Sequence, residues 1–370
     1  FYLRLTTGDD PILYSEPPED IARLIGIRIA VKVLDDRVTW RLDQHEYGMF
    51  WITSFEEELG RPLRPYSIPA ARPQVGKPGD AKVPGAFATS CRRYGGAALY
   101  AARFTVPQML FGVIAVSKRY TEWLLDDDRR LIVLYGFWKL ICSDMPTEAS
   151  LYLDVFFEDV TNGDLDCKLY CDSDHAGCPF TRRSTSGAAL MLDGPAGTKA
   201  LLDYMCKGQG SVQNASGSAE VCAVNDAIIG EVETGGEAAL PTDDQDRMRG
   251  RRAAPDANSI GKAVRRSLIP CLILLEDMHV PIRKKMLCLD ATTAIVAANR
   301  GFSRLLIHLG KTAGVDLAAL HEYIERLGLE VVKVSSEGNA SDLFTKCLLG
   351  PRIEYLCSIL GVYSATARQE

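Results

Sequence analysis

The stretch from Lys168 to Gly187 places the strongest constraint on the fold of this 370-residue chain. A short apolar run ends at the carboxylates of Asp172 and Asp174, a turn containing Gly177 and Pro179 follows, and a hydroxyl-rich segment begins after two arginines. This order predicts two strands joined by a turn, with acidic side chains fixed at the end of the first strand. Carboxylates held at a strand end can ligate a hard divalent cation, although an isolated Asp-x-Asp pair is more often an exposed acidic turn.

Apolar periodicity continues through the second half of the chain and predicts strands separated by helices. The predicted strands cover residues 151–160, 167–172, 184–192, 198–204, 286–290 and 329–334. The first predicted helix begins after Ser218, its expected N-cap, and the later helices cover residues 261–278, 291–299, 314–327 and 343–348. Strands that alternate with helices favour an α/β fold in which strand ends and helix starts share one sheet edge.

The first 150 residues are predicted to be mainly helical. A strand is expected over residues 24–33, a loop rich in Pro and Gly over 60–90, and helices over 44–58, 92–107, 110–123 and 127–139. Asp35-Asp36 lacks the apolar hairpin that surrounds a polymerase acid pair, so we interpret it as a solvated turn. Residues 233–260 are charged, rich in Gly and weakly apolar, which predicts a disordered insertion.

Four acidic residues occupy comparable places in this predicted fold. Asp172 and Asp290 end strands, Glu220 lies in the first turn of a helix, and Asp342 opens the last helix. Four carboxylates at one sheet edge repel one another unless cations neutralise them. Two divalent cations about 3.5–4 Å apart can do so and hold a phosphodiester between them, one activating a water and the other stabilising the leaving oxygen. Mg²⁺ suits such all-oxygen ligation, with Mn²⁺ as the alternative ion.

A second set of metal-capable side chains overlaps the first predicted strand. Cys167, Cys171, His175 and Cys178 form the pattern Cys-x3-Cys-x3-His-x2-Cys, whose residue types bind zinc. The spacing differs from that of a usual zinc knuckle, and the first two cysteines lie on or beside a strand, so the sequence leaves zinc binding open. Asp174 is kept as a weaker candidate ligand beside Asp172.

Composition limits the classes of partner. The net charge of −6 gives no general attraction to nucleic acid, so any such contact must use local basic residues. The candidates are Arg182, Arg183, Arg300, Arg304 and Lys311. No apolar run reaches the roughly 18–20 residues that span a bilayer, and eleven cysteines without repeated Cys-x-x-Cys pairs predict a reduced, intracellular chain. The first residue is Phe1 rather than Met, which is compatible with a fragment of a longer protein.

The segment from Asp172 to Gly177, followed by Arg-Arg-Ser-Thr-Ser-Gly from Arg182, resembles the first active-site strand of the ribonuclease H domain in copia-type retrotransposon polyproteins. Three further segments resemble that domain: the helix that continues Glu-x-x-Ala from Glu220, residues 289–294 around Asp290, and residues 339–346 around Asp342. Residues 24–27, 44–69 and 92–123 resemble the region after the reverse transcriptase palm in the same polyproteins, with 96–107 as the anchor.

The resemblance implies an α/β fold with a ribonuclease H-like mixed sheet flanked by helices, preceded by a mainly helical post-palm segment of reverse transcriptase. The implied divisions are a reverse transcriptase remnant over 1–150, a ribonuclease H-like domain over 151–350 and a tail helix over 351–370. Asp172, Glu220, Asp290 and Asp342 are then the catalytic and metal-binding residues, with two Mg²⁺ ions.

The implied reaction is endonucleolytic hydrolysis of the RNA strand of an RNA–DNA hybrid, leaving a 3′-hydroxyl and a 5′-phosphate, without polymerase activity. The implied partners are the hybrid, contacted at its 2′-hydroxyls and phosphates, and the rest of the polyprotein. No membrane and no small-molecule substrate is expected.

Several residues depart from the family pattern. Ser218 stands where the first acid of a Glu-x-Glu pair is usual, His175 replaces a frequent Trp, and Ser341 replaces Ala. The segment 193–215 also departs from the usual strand pattern. These departures keep one alternative open: a decayed domain that only binds nucleic acid or supports the polymerase. The set Cys167, Cys171, His175 and Cys178 keeps a second alternative open, a zinc-binding adaptor of nucleic acid.

Overall fold

The computed structural model describes residues 6–7, 10–11, 25–74, 82–144, 150–230 and 267–362. The short strands β1 (Thr6–Thr7) and β2 (Asp10–Pro11) pair with each other outside the main sheet. The other eight described strands form one mixed sheet: β3 (Arg28–Val33), β4 (Arg37–Asp43), β5 (Ser150–Phe156), β6 (Leu165–Asp174), β7 (Thr185–Asp193), β8 (Lys199–Gly208), β9 (Ile282–Leu289) and β10 (Leu329–Lys333).

Helices flank this sheet. The described α-helices are α1 (His45–Leu59), α2 (Cys91–Phe104), α3 (Leu110–Ser117), α4 (Leu125–Asp144), α5 (Phe157–Asn162), α6 (Ser216–Ile228), α7 (Ile269–Asp277), α8 (Thr292–Arg300), α9 (Leu309–Thr312), α10 (Leu317–Arg326) and α11 (Gly350–Leu360). A 3₁₀ turn covers Ala340–Phe344. The predicted α/β class, with a mixed sheet between helices, is confirmed.

The strand order in the sheet is β10-β9-β6-β7-β8-β5-β4-β3. Strand β9 pairs in parallel with both β6 and β10, whereas the other neighbours are antiparallel. The predicted hairpin is confirmed, since β6 and β7 pair from Asp166↔Asp193 to Asp174↔Thr185. Strand β6 therefore lies in the centre of the sheet, between an antiparallel and a parallel neighbour.

Two hydrophobic cores cover opposite faces of the sheet. Successive strand residues point to opposite faces, and Leu169 and Cys171 belong to one core whereas Tyr170 belongs to the other. Side chains of α1, α2, α3, α4 and α11 build the core that contains Tyr170. Side chains of α6, α7, α8 and α10 build the opposite core. Strand β7, which is covered on both faces, is buried at every residue except Asp193.

The two predicted segments on either side of residue 150 share this sheet. Strand β4 pairs with β5 over seven residues, from Arg37↔Phe156 to Asp43↔Ser150. The core that contains Tyr170 also joins residues from both segments. The division at residue 150 stays a prediction, and the insertion predicted over 233–260 lies outside the described residues.

Some predicted elements are wrong in extent because tertiary contacts replace local ones. The strand predicted over 151–160 ends at Phe156, where the short helix α5 begins. The helix predicted over 110–123 ends at Ser117, because Lys118 then turns to donate to Thr185 Oγ1 at 3.1 Å and Arg119 pairs with Asp127 at 3.4 Å.

The predicted helix over 343–348 is replaced by the 3₁₀ turn Ala340–Phe344. The side chain of Asn339 caps this turn by accepting the Ser341 N–H, and its amide donates to the Cys171 carbonyl at 2.9 Å. This second bond ties the turn to β6, which positions the following residues against the strand that carries Asp172.

Gly187 allows this turn to pack tightly on β7, so we expect Gly187→Ala to destabilise the protein. An added Cβ would lie 2.5 Å from Thr345 Cγ2 and 3.0 Å from Phe344 Cβ. Such overpacking costs about 1–3 kcal/mol of unfolding free energy, which denaturant titration measures. Gly96→Ala is the matched control, because nothing lies within 4 Å of its added Cβ in α2, and it should stabilise by up to about 1 kcal/mol. Equal behaviour of the two variants would contradict this account.

Candidate metal centre

Three acidic residues are brought together by the centre of the sheet and one helix. Asp172 lies in β6 opposite Gly187 of β7, and Asp290 follows β9 directly. Because β6 and β9 are parallel neighbours with Tyr170 level with Cys288, their carboxyl ends meet at the same sheet edge. Glu220 approaches from α6, which packs against β6.

The helix that carries Glu220 begins earlier than predicted. Ser218 is not its N-cap: α6 starts at Ser216 after Ala215, so Glu220 lies in the second turn. Gly217 permits this extension, because a Cβ there would lie 2.8 Å from Thr293 Cγ2 at the start of α8. The hydroxyl of Ser218 instead lies 3.4 Å from His308 Nε2.

We call Asp172, Glu220 and Asp290 the acidic centre. One carboxylate oxygen from each lies within 4.8 Å of the others, and no other described group of three or more His, Cys, Asp or Glu residues meets this condition. Asp172 is 1% exposed and Glu220 is 7% exposed. Neither Glu220 nor Asp290 makes a side-chain hydrogen bond or ion pair within the described part of the chain. Each charged pair at this distance costs about 3 kcal/mol at an effective dielectric constant of about 20.

The electrostatics of the acidic centre favour a protonated Glu220 at neutral pH when no cation is present. Burial raises the pKa of Glu220 to about 9, and the neighbouring Asp172 and Asp290 add to the increase. Burial also raises the pKa of Asp172 to about 6, against the lowering effect of Lys346. These shifts show that burial and the neighbouring like charges disfavour the ionised forms of Asp172 and Glu220.

The donor set fits a hard divalent cation. Three carboxylates supply only oxygen ligands, which Mg²⁺, Mn²⁺ and Ca²⁺ prefer, and two units of positive charge offset most of their repulsion. A divalent cation bound here would displace the protons that the raised pKa values favour. The acidic centre could therefore bind a metal, with Asp172, Glu220 and Asp290 as its candidate ligands.

Asp342, the fourth predicted ligand, lies beside the acidic centre but outside the group of three. One of its oxygens pairs with Lys346 Nζ, and the other accepts from Arg352 Nη2 at 3.0 Å. Lys346 Nζ also lies 3.3 Å from both carboxylate oxygens of Asp172. Lys346 thus links Asp342 to the acidic centre.

Three residues of this neighbourhood were not predicted as part of the site: Thr345, Lys346 and Arg352. The Thr345 hydroxyl donates to Asp172. Burial lowers the pKa of Lys346, but the negative charges of Asp172 and Asp342 together outweigh this effect, so the pKa is raised. Lys346 had a local signal, because it follows Asp342 by four residues, a spacing that pairs acids with lysines. Arg352 had none, since it reaches Asp342 from the separate helix α11.

The second predicted metal set is not assembled. Cys167 and Cys171 point from β6 into the hydrophobic core, where burial raises the pKa of the Cys167 thiol to about 12. His175 Nε2 lies 3.0 Å from the Gln213 carbonyl, away from any described group of three metal-capable residues. Asp174 also lies outside the acidic centre, where it accepts the Thr185 N–H and burial raises its pKa to about 6.

The five predicted basic residues are all exposed and form no ion pair within the described ranges. Arg182 and Arg183 lie in the turn between β6 and β7, beyond the strand end that carries Asp172. Arg300 ends α8, about 12 Å along the helix from its start near Asp290. Arg304 and Lys311 lie in the segment that the His308–Ser218 contact holds beside the first turn of α6. These cations therefore lie on three separate parts of the chain: the β6–β7 turn, the end of α8 and the segment around His308.

The raised pKa of Glu220 predicts how the stability of the metal-free protein depends on pH. From about pH 4.5 to about 9 the folded state binds a proton that the unfolded state has released, so the unfolding free energy should fall as pH rises through this range. Denaturant titrations in EDTA between pH 5.5 and 8.5 measure this slope. Glu220→Gln should flatten it, whereas the same change at exposed Glu322 should not. An unchanged slope in Glu220→Gln would contradict the placement of this carboxylate.

No protein-family model matches the chain, and no curated protein is significantly similar to it. No helix among the described residues is long and apolar enough to cross a membrane. The functional conclusion therefore depends on the acidic centre and on the sequence resemblance.

Proposed function

We propose that the chain is the end of a copia-type retroelement polyprotein and hydrolyses the RNA strand of RNA–DNA hybrids with a divalent metal. The observation that carries this proposal is the meeting of Asp172, Glu220 and Asp290 at one sheet edge, with carboxylate oxygens within 4.8 Å of one another. Asp172 and Glu220 are buried and Asp290 is half-buried. Each of these acids lies in a segment that resembles the ribonuclease H domain. Residues 118 positions apart in the chain thus form one site with the donors that phosphodiester hydrolysis needs.

The strand order supports a ribonuclease H-like sheet. Strands β8, β7 and β6 form an antiparallel meander, and β9 and β10 continue it in parallel. Helix α6, which carries Glu220, lies in the connection between the meander and the parallel pair. In the spatial order β8-β7-β6-β9-β10, Asp172 lies on β6, the first of these strands in the chain. Glu220 lies on α6, and Asp290 follows β9, the fourth strand in the chain.

The residues of the chain have separate tasks in the proposed reaction. A bound divalent cation supplies Lewis-acid polarisation of the phosphodiester and lowers the pKa of an attacking water. Asp172, Glu220 and Asp290 hold that cation through carboxylate oxygens. Thr345 and Lys346 fix the orientation of Asp172 by donating to it, so that its carboxylate is preorganised before substrate binds.

Recognition of the hybrid is assigned to the exposed basic residues. Phosphate contacts by Lys and Arg supply affinity without sequence preference, which suits an enzyme that cleaves many sequences. Arg182 and Arg183 are the first candidates, because the β6–β7 turn lies at the strand end next to Asp174. The segment with Arg304 and Lys311 is the second, because His308 holds it beside α6. RNA is distinguished from DNA by contacts to its 2′-hydroxyls.

One observation favours the rival function, a domain that binds hybrid without cleaving it. Both oxygens of Asp342 are occupied by cationic side chains, so this predicted ligand does not face a cation site freely. In that case the fold and the basic residues would be retained while hydrolysis is lost.

The proposal predicts magnesium-dependent cleavage of a labelled RNA–DNA hybrid by the full chain. Asp290→Asn removes one charged ligand and should lower the cleavage rate by about 100-fold or more. Asp277→Asn is the matched control, because Asp277 is exposed at the end of α7, and it should cleave at the wild-type rate.

Binding measurements separate the two functions. Fluorescence anisotropy with the same hybrid in EDTA should show that Asp290→Asn binds at least as well as the wild type, because a negative charge has been removed near the phosphates. A folded wild-type chain that binds hybrid but leaves it intact with Mg²⁺ would overturn the enzyme and leave the binding module.

A further inference from the structure

The side chain of Lys346 lies where a second cation of the acidic centre would have to bind. Its Nζ atom is 3.3 Å from Asp172 Oδ1 and 3.3 Å from Asp172 Oδ2, and it pairs with Asp342 Oδ1 on its other side. Asp172 is the one acid shared between this pair and the acidic centre. A cation held by Asp172 and Asp342 would therefore need the space that the ammonium group fills.

We infer that Lys346 replaces the second divalent cation, so that this site takes one divalent ion, held by Asp172, Glu220 and Asp290. This inference rests on the proposed function and changes its metal requirement, since the resemblance implies two ions. Lys346 is a positioning residue in this account, because it acts on the substrate through the carboxylates of Asp172 and Asp342.

The charges of the site agree with one ion. Four carboxylates meet there, and Lys346 and Arg352 each supply one positive charge through direct pairs with Asp342. One divalent cation then balances the remaining two negative charges. A second divalent cation would leave an excess of positive charge in a largely buried site, unless Lys346 were expelled, and uncompensated buried charge is strongly unfavourable.

The surroundings hold Asp342 and Lys346 in place. Arg352, which takes the second oxygen of Asp342, also donates to the carbonyls of Glu337 at 2.6 Å and Ser336 at 3.2 Å. Charge-assisted pairs of this kind are roughly twice as strong as neutral hydrogen bonds. Because Asp342 is anchored by Arg352, it keeps a fixed carboxylate oxygen for the ammonium group, and both of its oxygens are paired with cationic side chains.

The number of bound ions tests this inference without nucleic acid or catalysis. Mn²⁺ is titrated into the full chain, and bound and free ions are separated by electron paramagnetic resonance. The Asp290→Asn variant, which lacks one ligand of the acidic centre, defines non-specific surface binding. The wild type should bind one ion above this background.

Lys346→Met tests the role of the ammonium group, because it keeps an unbranched side chain that is only one atom shorter and removes the charge. The Lys346 side chain is 38% exposed, so the substitution leaves the core intact. Lys333→Met at an exposed position of β10 controls for the loss of one lysine. Lys346→Met should bind two ions. Lys346→Arg, which keeps the charge, and the double variant Lys346→Met/Asp342→Asn should each return to one.

The outcomes distinguish this inference from the proposed function. Two ions on the wild type, or one ion on a folded Lys346→Met chain, would overturn the replacement of a metal by Lys346 and leave the metal-dependent function standing. No specific ion on the wild type would overturn both. Thermal unfolding of each variant in EDTA confirms that the counted chains are folded.

Discussion

Repulsion among three carboxylates, two of them buried and one half-buried, is the constraint on which this structure depends. Asp172, Glu220 and Asp290 present oxygens within 4.8 Å of one another, a placement that opposes folding unless protons or a cation neutralise it. A flexible chain would relieve the repulsion by moving the acids apart. Here the acids are fixed by the central strand β6, by α6 packed on it and by the end of the parallel strand β9. Because the acids stay close together, the site favours the binding of positive charge.

The two hydrophobic cores stabilise the fold enough to offset the electrostatic cost of that fixed arrangement. Each face of the sheet is covered by its own set of helices, and β6 contributes alternate side chains to both. Burial of apolar area at roughly 25 cal/mol per Å² supplies the dominant favourable term in folding, against which a few kcal/mol of repulsion can be sustained. Gly187 and Gly217 then allow the Ala340–Phe344 turn and α6 to approach their neighbours closely enough to complete the site.

The two sides of the site are neutralised differently. On the side of Glu220 and Asp290 no described cationic side chain forms a pair, which leaves room for a divalent ion. On the side of Asp342 the chain supplies its own cations, Lys346 and Arg352. This asymmetry bears on both candidate functions: the first side supports metal-dependent hydrolysis, and the second supports a domain that binds hybrid without cleaving it. Lys346 and Arg352, which pair with its two oxygens, explain why Asp342 is not presented as a free ligand.

Much of the fold could be predicted from local patterns, for physical reasons. Period-two and period-3.6 apolar repeats report which face of an element is buried, and turn residues such as Gly301 and Gly328 adopt positive φ angles that end helices. The β6–β7 hairpin, the strand before Asp290 and the inward face of α10 follow from these signals. The three acids of the centre were also found from sequence, because each lies next to an element boundary in a recognisable segment.

Helix and strand ends were less predictable, because distant contacts decided them: Lys118 leaves α3 to reach Thr185, and Gly217 lets α6 begin early against Thr293. The pairing of Lys346 with Asp172 joins residues 174 positions apart, and Arg352 comes from a separate helix. Local sequence could therefore name the acids that carry negative charge. Only the packing of the Ala340–Phe344 turn against β6 and β7 decided which cations oppose them, because charge pairing depends on distance in space rather than on separation along the chain.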